Sequence, residues 1–188
     1  MDIFETCPVL EDDNFTVRLI EQSDSDDLMR VYHDKLALPF FNSDNCHGSN
    51  FYCAAKEDMD NTIKYWLIEY HENRGFVRFT VFDKKAQEAI GTIEMFRRES
   101  EDSYNGFGIL RLDLRCDCER TDTISGILSL IVEPFYGWFG CTEIATKAAI
   151  YAVDRIEALR NTGFTRSEKP VIGLHDIAYY DYWIRRAS

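Results

Sequence analysis

Basic residues are in short supply. The chain has 188 residues, with 21 Lys and Arg against 33 Asp and Glu, and a formal net charge of −12. Nucleic acid and anionic membranes need a basic surface, so neither is an expected partner. A neutral or cationic ligand suits this field, and an anionic cofactor would need a local site that overrides it. No apolar run approaches the ~20 residues that span a bilayer. Met1 to Glu11 carry acids and no basic stretch of the signal-peptide kind, so the expected location is the cytoplasm. Repeats, low-complexity tracts and linkers are also missing, and one domain over residues 1–188 is expected.

Standard metal spacing is absent too. Cys46, His47 and Cys53 could be joined by Cys7, but the pattern matches no zinc motif and no metal is expected. The six cysteines, Cys116 and Cys118 included, are expected as free, mostly packed thiols. The four histidines form no spaced set.

What the chain does have is apolar periodicity, with aromatics at 14% to fill a bulky core. Phe15 to Ile20 alternates as a strand. A helix follows Ser23 and Asp24, with Leu28, Val31 and Tyr32 on its stripe. Leu36 to Cys53, with Pro39 and Gly48, is expected as a loop, either functional or covering the core. Asp58 to Asn73 has helical spacing through Met59, Ile63, Trp66, Leu67 and Tyr70, and Arg74-Gly75 ends it. Phe76–Phe82, Ala89–Arg97 and Phe107–Arg115 are expected as three antiparallel strands. From Thr123, the residues Ile124, Ile127, Leu128, Ile131 and Phe135 define a strong helix that Pro134 should kink or end. A strand at Glu143–Lys147 follows. Next come a helix at Ala149–Asn161, with Ala152, Val153, Ile156 and Leu159 inward, and a last strand at Ile177–Ile184. The step from Phe107 to Lys147 is expected as a right-handed parallel crossover.

This order is similar to that of the GNAT superfamily of N-acetyltransferases. Ile90-Gly91-Thr92-Ile93 resembles that family's central hairpin strand, where IG-x-I is common. Residues Arg155 to Phe164 resemble its helix ending in L-x-x-x-G-F. The resemblance covers about residues 15–186. It implies an α/β (α+β) fold with a mixed, mostly antiparallel central sheet and helices on both faces. It also implies transfer of acetyl from acetyl-CoA to an amine of a small molecule or peptide. In such enzymes the sheet splays at the cofactor strand, a free backbone N–H polarises the thioester, and a carboxylate takes the amine proton. The alternative is a GNAT-like binding module that has lost CoA. A third reading is transfer from another anionic acyl donor. A homodimer is compatible with each.

Between the strand ending at Arg115 and the next helix, the family carries Gln/Arg-x-x-Gly-x-Gly/Ala. Small residues there let backbone N–H groups reach the pyrophosphate. This chain has Glu119-Arg120-Thr121-Asp122-Thr123-Ile124, with Asp122 and Ile124 at the glycine positions. Asp122 can cap the helix itself, which would take the phosphate's place. The resemblance points to Leu114, Arg115, Cys116, Arg120, Thr121, Asp122 and Thr123 for cofactor binding, with Arg120 and Arg155 for the phosphates. The family's helix asparagine falls at Ala152 and its tyrosine at Leu159 or Arg160. Tyr151 stands nearby, out of register.

Glu94 and Asp113 are the candidate catalytic carboxylates, because a charge on an otherwise apolar strand face needs a partner or a ligand. The plain structural alternative pairs Glu94 with Arg78, and Asp113 with Arg111 or Arg115. Glu94 is expected to share its face with Ile90, Thr92 and Phe96. Phe40, Phe41 and Trp66 are candidates for lining an acceptor pocket, against a simple core role.

Overall fold

The computed structural model describes residues 2–187. Its strands are β1 (Leu10–Glu11), β2 (Phe15–Leu19), β3 (Val77–Asp83), β4 (Glu88–Arg97), β5 (Gly108–Leu114), β6 (Glu143–Lys147), β7 (Thr165–Arg166), β8 (Val171–Ile172), β9 (Ala178–Tyr179) and β10 (Tyr182–Arg186). The helices are α1 (Ser25–Tyr32), α2 (Lys56–Ile68), α3 (Thr121–Phe139) and α4 (Val153–Asn161). The main sheet runs β1-β2-β3-β4-β5-β6-β10-β7, and β8 pairs with β9 in a separate ribbon. No helix among the described residues is long and apolar enough to cross a membrane.

Every pairing in the main sheet is antiparallel except β5 with β6. The α3 helix joins these two, as a parallel pair requires a long crossover. Gly108, Ile109 and Leu110 lie opposite Ile144, Ala145 and Thr146. Beyond Leu110, β5 runs on to Leu114 without β6 beside it, so the strands part in a V. Ile124, Ile127 and Ile131 pack in the core beneath the sheet, as their spacing predicts.

Strand alternation divides the sheet into two unlike faces. Val77, Phe79, Val81, Ile93, Met95, Leu110, Leu112 and Leu114 meet α3 and α4 in one apolar core. The opposite face carries Arg78, Thr80, Thr92, Glu94, Arg111 and Asp113 beneath α1 and α2, whose own core holds Leu28, Val31, Tyr32, Met59, Ile63 and Trp66. Ile90 departs from the expected face. The register shifts between Val81 and Phe82, and this bulge puts Ile90 with the α3 core and Ala89 with the α1–α2 core. Gly91 is required where β4 passes β5, since a Cβ there would lie 2.2 Å from the Asp113 carbonyl oxygen.

Three other elements differ from expectation. The α3 helix begins at Thr121 and continues through Pro134 to Phe139. Its apolar stripe does not stop at the proline; Phe135, fully buried just after it, holds the last turn on the sheet. The α4 helix starts at Val153, so Val153 is exposed and the inward line is Ala152, Arg155, Ala158 and Leu159. The last strand is Tyr182–Arg186, while Ala178–Tyr179 pairs with Val171–Ile172. Asp181, at φ 65°, breaks the run between them.

Candidate functional site

Under α1 and α2, the polar face of the sheet is closed into an ion-pair network. Arg78 and Glu94 lie directly opposite each other on β3 and β4. Arg78 binds Glu94 Oε2 and, at 3.2 Å, Asp113 Oδ2. Arg111 binds the other Glu94 oxygen at 3.0 Å. Tyr32 Oη donates to Asp113 Oδ2 at 2.9 Å and shares a 2.6 Å hydrogen bond with Thr92. Arg78 is fully buried, with its guanidinium 4.1 Å from the Trp66 ring centroid.

Asp113 therefore pairs with Arg78 and not, as the sequence suggests, with Arg111 or Arg115. Arg115 turns outward to Glu88 and Asp117. Burial pushes the Asp113 carboxyl up, Arg78 and Tyr32 oppose that shift, and Oδ1 has no partner. Both oxygens of Glu94 are engaged by arginines, so neither is free to accept an amine proton in this arrangement.

Above Glu94 and Arg111 opens a cleft of about 880 Å³. Trp66, Tyr65, Phe51, Phe76 and Phe96 supply aromatic walls, and Asp58 and Glu69 stand among its lining residues. Of the three aromatics proposed from sequence, Trp66 lines this space. Phe41 packs on Tyr32 with ring centroids 5.4 Å apart, and Phe40 on Tyr151 at 6.0 Å. Burial pushes the thiols of Cys46 and Cys53 up, so the cleft holds no activated thiolate. Cys7 packs with the α3 core and Cys53 with the α1–α2 core, so the four-residue metal set does not assemble.

The V between β5 and β6 has a different content. Arg98 N–H bonds to the Phe107 carbonyl, and Arg115 N–H to that of Ile90. Odd-numbered residues of β5 thus point their backbone at β4, and Leu112 and Leu114 point theirs into the V. Arg155 reaches in from α4 and donates to the Leu112 carbonyl at 2.8 Å. The same guanidinium is paired with Glu119, through Nε at 3.2 Å and through its terminal nitrogen. Arg155 and Glu119 are 4% and 8% exposed, so they fill the groove and do not line it.

The loop over the V is held down as well. Asp44 accepts from Lys147 at 2.7 Å and from Tyr182 Oη at 3.0 Å, and its carbonyl accepts from Arg111 at 2.9 Å. Tyr151 Oη donates to the Pro39 carbonyl at 2.6 Å. None of Asp44, Lys147, Tyr182 and Glu119 is conspicuous in the sequence, because their partners come from distant segments.

At the start of α3, Arg120 is the N-cap and makes no side-chain cap bond. Asp122 is not the cap, because the helix begins before it. Its carboxylate is held below the usual range, chiefly by Arg120. Thr121 Oγ1 donates to Asp154 Oδ1 at 2.9 Å, with Glu157 also within reach. Thr123 lies in the first turn, half-buried. Cys116 N–H donates to Asp34 at 3.1 Å, and the Leu114 side chain is buried in the α3 core. The helix N-terminus is thereby surrounded by Asp117, Glu119, Asp122, Asp154 and Glu157, and both arginines named for phosphates are already paired.

No protein-family model matches the chain, and no curated protein matches it in sequence. Solved structures do match. The GNAT-family acetyltransferase from Bacillus anthracis superposes with a TM-score of 0.68 at 10% identity, covering 95% of this chain and 98% of that one. The ribosomal-protein-S5-alanine acetyltransferase from Vibrio fischeri gives 0.63 at 17% identity, over 94% of each chain. The microcin C7 self-immunity acetyltransferase MccE, solved with acetyl-CoA and AMP, gives 0.69 at 10% identity, again over 94% of each. The chain has the GNAT acetyltransferase fold, and at these identities the fold is what the likeness shows.

The residues of this groove do not fit acetyl-CoA. A pyrophosphate at the α3 N-terminus would meet carboxylates, with no glycine backbone to approach. A pantetheine arm along β5 would need the Leu112 carbonyl and the volume that Arg155 holds.

Proposed function

We propose that residues 1–188 form a single GNAT-fold binding module that has given up acetyl-CoA and kept the aromatic cleft as its ligand site. One observation carries this reading: Arg155, buried and paired with Glu119, sits on the Leu112 carbonyl inside the V. Moving Arg155 out of the V would leave the Glu119 carboxylate buried without its partner, at a cost of several kcal/mol. The acidic residues around α3 offer an anion nothing in return. The ligand of the module enters over Glu94 and Arg111, where aromatic walls and the acids Asp58 and Glu69 suit a cationic, partly apolar molecule.

Calorimetric titration with acetyl-CoA tests the reading. No saturable binding is expected up to about 1 mM, and a Kd of tens of micromolar or tighter would overturn it.

A second reading, acetyl transfer to an amine, is favoured by the fold neighbour solved with acetyl-CoA. It requires Arg155 to leave the V and one oxygen of Glu94 to be released as the base. Under it, Glu94→Gln lowers turnover by roughly 10²–10⁴-fold, the usual worth of a general base. Under the first reading there is no turnover to lower.

A further inference from the structure

Around the mouth of the closed V lies an apolar surface that the binding reading does not use. Leu36, Ile150, Tyr151 and Val153 are 71%, 71%, 58% and 70% exposed. They come from two segments that touch. The Tyr151 hydroxyl bonds Pro39, and its ring packs on Phe40. Asp34 accepts from the N–H groups of both Leu36 and Cys116, which fixes Leu36 beside the loop that follows β5. Single exposed aliphatic residues are ordinary, but several around one opening mark a contact surface.

Acids predominate beside this surface. Asp154 and Glu157 are exposed at the start of α4, and Asp34 lies at the far side. None of the three forms an ion pair among the described residues, whereas Arg115 and Arg120 are taken by their neighbouring acids. Lys35 leans over the Tyr52 ring, and Arg160, one turn after Glu157, over that of Trp183. We infer that the mouth of the V docks a basic, amphipathic segment of a partner protein, its apolar side chains on Ile150, Tyr151 and Val153 and its cations on Asp154 and Glu157. Charge complementarity selects this occupant. A second copy of a chain with net charge −12 would set these carboxylates against their own kind. An anionic membrane would be repelled by the same field.

The probe is a fluorescent peptide of about 18 residues, lysine-rich with leucines at helical i, i+3, i+4 and i+7 spacing. Its control has glutamate for lysine. Anisotropy titration of the full chain should give a Kd on the order of 10 μM for the lysine peptide. The glutamate peptide should not bind. Ile150→Ser with Val153→Ser should weaken binding about tenfold, as two aliphatic side chains lose buried surface. Asp154→Lys with Glu157→Lys should weaken it at least as much. Leu174→Ser with Ile177→Ser, on the β8–β9 ribbon, should leave it unchanged. The same charge reversal at Glu99 and Glu101, by the other end of β5, should have much the smaller effect. Failure of the lysine peptide to bind would overturn the proposal. So would binding indifferent to the Ile150 and Val153 changes, which would be unspecific attraction to an acidic protein. A dimer in sedimentation that those changes dissolve would assign the surface to a second copy instead. None of these outcomes depends on whether the groove takes acetyl-CoA, which the calorimetric titration settles separately.

Discussion

Two openings flank β5, and a buried arginine–glutamate pair governs each. At the cleft, Glu94 lies in the floor, its partner Arg78 is buried under Trp66, and the space above Glu94 stays open. At the V, Arg155 and Glu119 stand in the opening itself, and the space is gone. The same chemistry gives a rigid site in one place and a stopper in the other. Position decides which. Arg78 springs from a strand and lies along the sheet, while Arg155 springs from a helix and points at the edge of a strand.

Breaking the floor should have the largest effect. Arg78→Met leaves Glu94 with Arg111 alone and Asp113 with only the Tyr32 hydroxyl, and should lower unfolding free energy by about 4–5 kcal/mol in urea titration. A loss below about 1 kcal/mol would mean that water already reaches the network.

The stopper should respond differently to single and double changes. Glu119→Ala strands the Arg155 charge and should cost about 3–4 kcal/mol, whereas Arg155→Leu with Glu119→Leu should lie close to wild type or above it. Additive losses in this double-mutant cycle would mean that the two side chains act independently.

A polar cluster away from both openings provides a calibration. Burial alone would raise the Asp102 carboxyl; the N–H groups of Ile172 and Tyr104, the Ser100 hydroxyl and Arg98 overcome that and hold it at about 2. The folded-state value lies below the unfolded 3.8, so the stabilisation is present above about pH 4 and fades as pH falls towards about 2. Asp102→Asn should cost roughly 2 kcal/mol at pH 7, and much less near pH 2, by thermal unfolding. A pH-independent loss would place the effect in packing.

The smallest effect belongs to the exposed pair beside the stopper. Arg120→Ala should leave stability close to wild type, and any effect should shrink in high salt. A large loss would show that the α3 start is held by this pair and not by the helix's own core contacts.

The elements around β5 were legible because their periods are clear. Alternation marks Phe107–Arg115, helical spacing marks Ile124 to Phe135, and Glu143–Lys147 has the bounds read from the sequence. Glu94 and Asp113 stood out as charges on strand faces, and alternation also placed Arg78 across from Glu94. Pro134 misled, because a local hydrogen bond lost inside a helix matters less than the core burial of Phe135. The stopper was hidden by register. Starting α4 at Ala149 turns Val153 inward, and starting it at Val153 turns Arg155 inward. The fastening of Asp44 could not be seen locally, since its partners Lys147 and Tyr182 lie 103 and 138 residues further along.

The ends of the main sheet have a bearing on how this protein meets others. Its outermost strands, β1 and β7, have two residues each. Strands so short present almost no unsatisfied backbone ladder, which guards against edge-to-edge aggregation and leaves little template for a visiting strand. Recognition at these edges is thereby closed to main-chain pairing, and a visitor must be chosen by side chains.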